Sequence, residues 1–142
     1  MNNGIFTSII KRMLPVVLLL VFCQVLLTAQ TSREGPQACA VQLQDTTTHY
    51  QPILTGPPQT TSMESGLVVL EPGKSGTQHS SKGYEEAIIV LSGEGELQIV
   101  GGPTIRLKEN TVAYCPTHTV HNIHNPGVKP LRYVYVAAKA LK

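Results

Sequence analysis

From residue 66 to the C-terminus, short apolar runs alternate with turn residues. "GLVVLE" (66–71) ends at "PGKSG", "EEAIIVL" (85–91) at "SGEG", and "ELQIV" (96–100) at "GGP". "TIRL" (104–107) ends at "KEN", "TVAYC" (111–115) at Pro116, and "TVHNIHN" (119–125) at "PG"; "LRYVYVAA" (131–138) closes the pattern. Seven runs rich in β-branched and aromatic residues predict seven strands of an all-β sandwich or barrel. No stretch after residue 30 sustains a helical period. "SGEG" (92–95) predicts a tight hairpin between the second and third runs. In the second run Glu86, Ile88 and Val90 share one face, and Glu85, Ala87, Ile89 and Leu91 the other. Both faces are apolar beyond the glutamates, which predicts a strand covered on both sides. A carboxylate at the start of such a strand needs a partner, because burying an unpaired charge is costly. The partner is Lys82, Lys74, a histidine or a metal.

The chain before residue 65 has a different texture. Residues 31–64 are rich in Thr, Gln, Pro and Gly and read as an irregular N-terminal arm, with one edge strand near 39–44. Pro52, Pro57 and Pro58 exclude a long helix there. Residues 1–30 read as a secretory signal peptide: Lys11 and Arg12 precede the apolar stretch "MLPVVLLLVFCQVLLTA", and no acidic residue occurs before Glu34. That stretch is short for a membrane span and is interrupted by Gln24. The expected product is an exported protein, periplasmic or secreted, cleaved near Ala29 or Gln30 and carrying no membrane segment thereafter. An uncleaved anchor is the alternative. The β-barrel domain is expected over 65–142.

Charge narrows the function classes. Removing Lys11 and Arg12 takes the basic residues from 11 to 9, against 9 acidic ones. No basic stripe survives, which argues against a nucleic-acid partner. Cys39 and Cys115 would remain; an oxidising compartment permits a disulfide between them, and a free buried thiol at Cys115 is the equal alternative. No C-x-x-C redox spacing occurs.

Two polar clusters carry the candidate chemistry. One is His79, Ser81, Glu85 and Glu86; the other is "PTHTVHNIHN", with His118, His121, His124 and Asn125. In a regular strand His121 shares a face with Ile123 and Asn125, while His124 points the other way. His118 fits a turn or the barrel mouth. His124 is a reserve ligand only if a bulge shifts the register. His49 reads as a surface residue, Tyr114 as a residue of the mouth, and Asn125 as the closer of the "NPG" turn.

In these residues the stretch 66–138 resembles a cupin. The family's first motif, G-x5-H-x-H-x3,4-E-x6-G, is met by Gly73, His79, Glu86 and Gly93, with Ser81 in place of the second histidine. The spacing to Gly93 selects Glu86 over Glu85. The second motif, G-x5-P-x-G-x2-H-x3-N, is met by Pro116, His121 and Asn125, with Asn110 and His118 in place of its glycines. The resemblance implies a double-stranded β-helix, or jelly-roll barrel. It also implies a metal site of His79, Glu86 and His121, whose fourth position falls on Ser81. A hydroxyl is a poor substitute for imidazole toward transition metals. Two outcomes follow. Either two histidines and one glutamate hold a divalent metal (Fe, Mn, Ni or Zn) with open positions, or the metal is lost and the pocket takes an organic ligand.

The functional expectation is a metal-dependent enzyme on a small molecule: an oxygenase, isomerase or lyase. The alternatives are a non-catalytic cupin binding a small ligand or carbohydrate without metal, and a structural barrel with an idle pocket. The arm and the "LRYVYVAA" strand offer edge surface, and the resemblance makes a homodimer the expected assembly.

Overall fold

The computed structural model describes residues 35–45 and 48–140. The signal-peptide expectation for 1–30 lies outside the described residues. Among the described residues nine strands follow in order: β1 Tyr50–Thr55, β2 Glu64–Leu70, β3 His79–Ser80, β4 Tyr84–Ser92, β5 Glu94–Ile99, β6 Thr104–Lys108, β7 Val112–Cys115, β8 Val120–His124 and β9 Leu131–Lys139. They form a five-stranded sheet in the order β1-β2-β9-β4-β7 and a four-stranded sheet in the order β3-β8-β5-β6. All seven runs read from the sequence are strands. No helix occurs among the described residues.

Alternation builds the core. Ile88 and Val90 of β4, Leu131 and Tyr133 of β9, Leu97 of β5, Leu107 of β6 and Ile123 of β8 point between the sheets and pack together. Each fully buried aliphatic side chain of this kind contributes about 1.5–3 kcal/mol. The outward residues of β4, Ala87, Ile89 and Leu91, are half-buried rather than covered.

Residues 50–55, inside the segment read as an irregular arm, form β1, which pairs antiparallel with β2. Its Pro52 is tolerated because β1 is an edge strand, and the register shifts between Pro52 and Leu54. The edge strand expected near 39–44 is absent: residues 35–45 carry no strand.

"SGEG" is not a hairpin. β4 and β5 belong to different sheets, so Gly93 turns the chain from one sheet to the other. Gly93 sits at φ 83°, and a Cβ there would lie 2.4 Å from the Pro130 carbonyl oxygen. Only glycine fits such a corner. The chain crosses between sheets again after β6 and after β7. The crossing at 116–119 delivers Cys115 to one sheet and His121 to the other.

Candidate metal centre

The pairing of β3 with β8 places His79 opposite His121, with ring centroids 4.5 Å apart and planes tilted by 59°. Across the barrel, Glu86 is the first buried residue on the inward face of β4. Its carboxylate meets both rings: Oε1 lies 3.3 Å from His79 Nε2, and Oε2 lies 3.2 Å from His121 Nε2. The ligand atoms of the three residues lie within 4.8 Å of one another.

Backbone carbonyls fix the tautomers. His79 Nδ1 lies 3.0 Å from the Thr77 oxygen, and His121 Nδ1 lies 3.2 Å from the Thr119 oxygen. A carbonyl only accepts, so each Nδ1 carries the hydrogen and donates it. In a neutral ring, Nε2 then presents a bare lone pair toward Glu86, which also has only lone pairs to offer. Three acceptors cannot share this space without a positive charge among them. Either protons or a metal ion must supply it, and an Nδ1–H held by a carbonyl is the arrangement metal-ligating histidines adopt. Without metal, protons do so. The hydrogen bond from His121 holds the Glu86 carboxyl below its usual range against the opposing cost of burial, and His79 adds to the effect. The same carboxylate raises the His121 imidazolium pKa.

The donor set fits a divalent metal. Two donors each about 2.1 Å from one ion lie about 3.0–3.4 Å apart at right-angled to tetrahedral geometry, which brackets both N–O separations seen here. Two imidazoles and one carboxylate suit Fe, Mn, Ni and Zn alike. Glu86 and His121 are buried, with side chains 10% and 2% exposed, while the His79 side chain is 52% exposed and forms the mouth. The centre opens into a cavity of about 600 Å³.

A family model described as "Cupin domain" matches residues 66–137, just over half of the chain. The chain belongs to the cupin family. A comparison with curated protein sequences finds no match. Among solved structures, the cupin is similar to the cupin domain of Schizosaccharomyces pombe Cnp3 at 23% identity and TM-score 0.57; the match covers 64% of each chain. It is similar to a Cupin 2 conserved barrel domain protein from Salinispora arenicola at 22% identity and TM-score 0.59, over 73% of this chain and 92% of that one. It is similar also to a predicted oxalate decarboxylase from Thermotoga maritima at 23% identity and TM-score 0.59, over 64% of this chain and 79% of that one. At these identities the likeness establishes the double-stranded β-helix fold and nothing finer.

The remaining residues of the two cupin motifs have structural duties. Ser81, at the missing histidine, is buried; its hydroxyl donates to the Pro116 carbonyl at 2.8 Å and accepts from the Thr119 amide at 3.1 Å. It therefore latches the 116–119 crossing whose Thr119 carbonyl orients His121. His118 sits in that crossing at φ 58°, its amide bonded to the Lys82 carbonyl. His124 faces away and bonds Ser75 through Nδ1 at 2.9 Å. Asn125 is fully buried and closes its turn, donating to the Leu70 and Lys129 carbonyls and accepting from the Gly127 amide. His49 is exposed and outside the cavity.

Cys115 and Cys39 are both free; Cys115 is buried with Sγ 3.2 Å from His121 Nδ1, behind the His121 ring. Burial pushes the Cys115 thiol pKa up, and the nearby Glu86 charge adds to this. Tyr114, expected at the mouth, instead lies on the outward face of β7 and is 57% exposed. The tyrosines that do line the cavity are Tyr50, Tyr84, Tyr133 and Tyr135. The last two were legible as cavity residues from the alternation of "LRYVYV", which sets them on the face of buried Leu131.

Proposed function

We propose that this chain is an exported, metal-dependent cupin that acts on a small molecule, with His79, Glu86 and His121 as its metal ligands. The observation that carries the reading is the convergence of two carbonyl-fixed Nε2 lone pairs on one buried carboxylate. When bound, a divalent ion supplies a Lewis acid and positions for water or a substrate oxygen. Ser81 occupies the fourth motif position with its oxygen committed to backbone partners, and among the described residues no further His, Cys, Asp or Glu joins the three.

The chain's own groups shape what can bind. His121 and Glu86 are anchored deep, while half-exposed His79 admits ligand from the mouth. Burial holds the Tyr133 phenol protonated well above its usual range, so it offers a hydrogen-bond donor inside the cavity. These features suit an oxygenase or isomerase reaction on a small polar substrate. Export and a homodimer belong to the same proposal. Light scattering on residues 31–142 should give twice the protomer mass, and a clean monomer would remove the dimer from it.

Titration of chelator-stripped protein with Mn(II), followed by water-proton relaxation, tests the catalytic form of the reading. One saturable site with enhanced relaxation is expected, because coordination positions remain for exchanging water. Saturable binding without enhancement would favour a closed, non-catalytic site, and no binding would favour a cupin that takes organic ligands without metal.

A further inference from the structure

The cavity has a second end that the metal reading does not use. Strand register lays it out. Glu64 of β2 pairs with Ala137 of β9, which pairs with Glu86 of β4. Glu64 and Glu86 thus occupy one row of the same sheet, two strand spacings or about 9.5 Å apart at the backbone. One row below, Gly66 of β2 pairs with Tyr135 of β9 and then Ile88 of β4.

The residues between the two glutamates are small. A Cβ on Gly66 would lie 2.8 Å from Tyr135 Cε1 and 2.8 Å from Tyr50 Cε2. Gly66 therefore makes room for both rings, and Ala137 keeps the floor open toward Glu86. Tyr50 comes from β1, whose edge position carries it over the sheet, and its hydroxyl bonds that of Tyr135 at 3.0 Å. Tyr50, Tyr135, Glu64 and Ala137 all line the same cavity as the metal ligands. Among the described residues no lysine, arginine or histidine lies within salt-bridge distance of Glu64. Burial, the Tyr50 hydrogen bond and the Glu64 charge together hold the Tyr135 phenol protonated.

We infer that Tyr50, Tyr135 and Glu64 form a subsite for an organic ammonium group at the far end of the ligand. Glu64 is exposed at the rim, its side chain lying against Gly56; a carboxylate without a basic partner lining the same cavity as two electron-rich rings attracts a cation and repels carboxylate or phosphate. Resting on the metal reading above, this makes the ligand a small molecule with a metal-binding oxygen at one end and an amine or quaternary ammonium at the other. The two ends are separated by roughly the width of two strands.

The test uses choline and its neutral isostere 3,3-dimethylbutan-1-ol as probes, titrated into the 31–142 protein by NMR with metal and, separately, with chelator. Choline should bind at least about tenfold more tightly than the isostere and shift the Tyr50 and Tyr135 ring signals. Glu64→Gln should abolish the preference while leaving metal content unchanged. Gly66→Ala, which forces the rings aside, should weaken choline in the same way. Equal binding of the two probes, or a preference that survives Glu64→Gln, overturns the subsite. Because the chelator arm contains no metal, a choline preference there supports the subsite even if the metal reading fails. Absence of choline binding in both arms overturns the subsite whatever the metal content.

Discussion

Ser81→Ala separates two roles that one hydroxyl could play. As a latch, Ser81 works in the absence of metal, holding the 116–119 crossing through Pro116 and Thr119. As a ligand, it would matter only when metal is bound. Removing the hydroxyl deletes two hydrogen bonds to backbone groups beside a buried position, each worth about 1 kcal/mol net, for a total of about 2 kcal/mol. For a domain of this size, that lowers the melting temperature by roughly 10 °C. The Thr119 carbonyl keeps its bond from the Ser81 amide, but the Thr119 N–H loses its acceptor, so the crossing orients His121 less firmly; loss of such an outer support typically weakens metal affinity by about 10- to 100-fold. The assay is differential scanning calorimetry of wild type and variant, both stripped with chelator and then metal-loaded. The latch predicts the drop in the stripped protein. If the stripped variant melts within about 2 °C of wild type and only the loaded one falls, the hydroxyl acts on the metal and the latch is wrong.

Gly93→Ala should cost about 1–2 kcal/mol for the backbone conformation alone. The contact with the Pro130 carbonyl adds to this, and urea unfolding should show the midpoint falling with an unchanged slope. The metal-free protein should be stable over a bounded pH window. The lowered pKa of Glu86 contributes stability present above its unfolded value of 4.5 and lost as pH falls through the folded one; the raised pKa of His121 contributes stability present below 6.5 and lost as pH rises through the folded one. Melting curves across pH should therefore peak between these limits, and Glu86→Gln should flatten the alkaline fall; a fall that persists in that variant would assign it to another group. Asn125→Ala removes three hydrogen bonds at a fully buried position and should destabilise by about 2–4 kcal/mol, measured by urea unfolding, without altering the metal ligands.

Much of this was written in local patterns. The seven apolar runs show as strands because period-two alternation and turn residues are short-range signals. His79, Glu86 and His121 emerged from the resemblance to the cupin motifs, whose fixed spacings a fixed barrel converts into position. What escaped depends on distant partners. β3 is two residues long and has no apolar run to announce it. β1 was disguised by Pro52, whose tolerance depends on the strand lying at an edge. "SGEG" carries turn chemistry, which reports that the chain bends but not which sheet receives the next strand. The role of Ser81 lies in partners 35 and 38 residues away. The Tyr50, Tyr135 and Glu64 group becomes visible only once β1, β2 and β9 are neighbours.

The central claim is that His79, Glu86 and His121 hold a divalent metal. Elemental analysis of the purified 31–142 protein beside its His79→Ala variant tests it most directly. The account predicts close to one equivalent of Fe, Mn, Ni or Zn in the wild type and a clear loss in the variant. Wild-type protein carrying no more of these metals than the variant would contradict it.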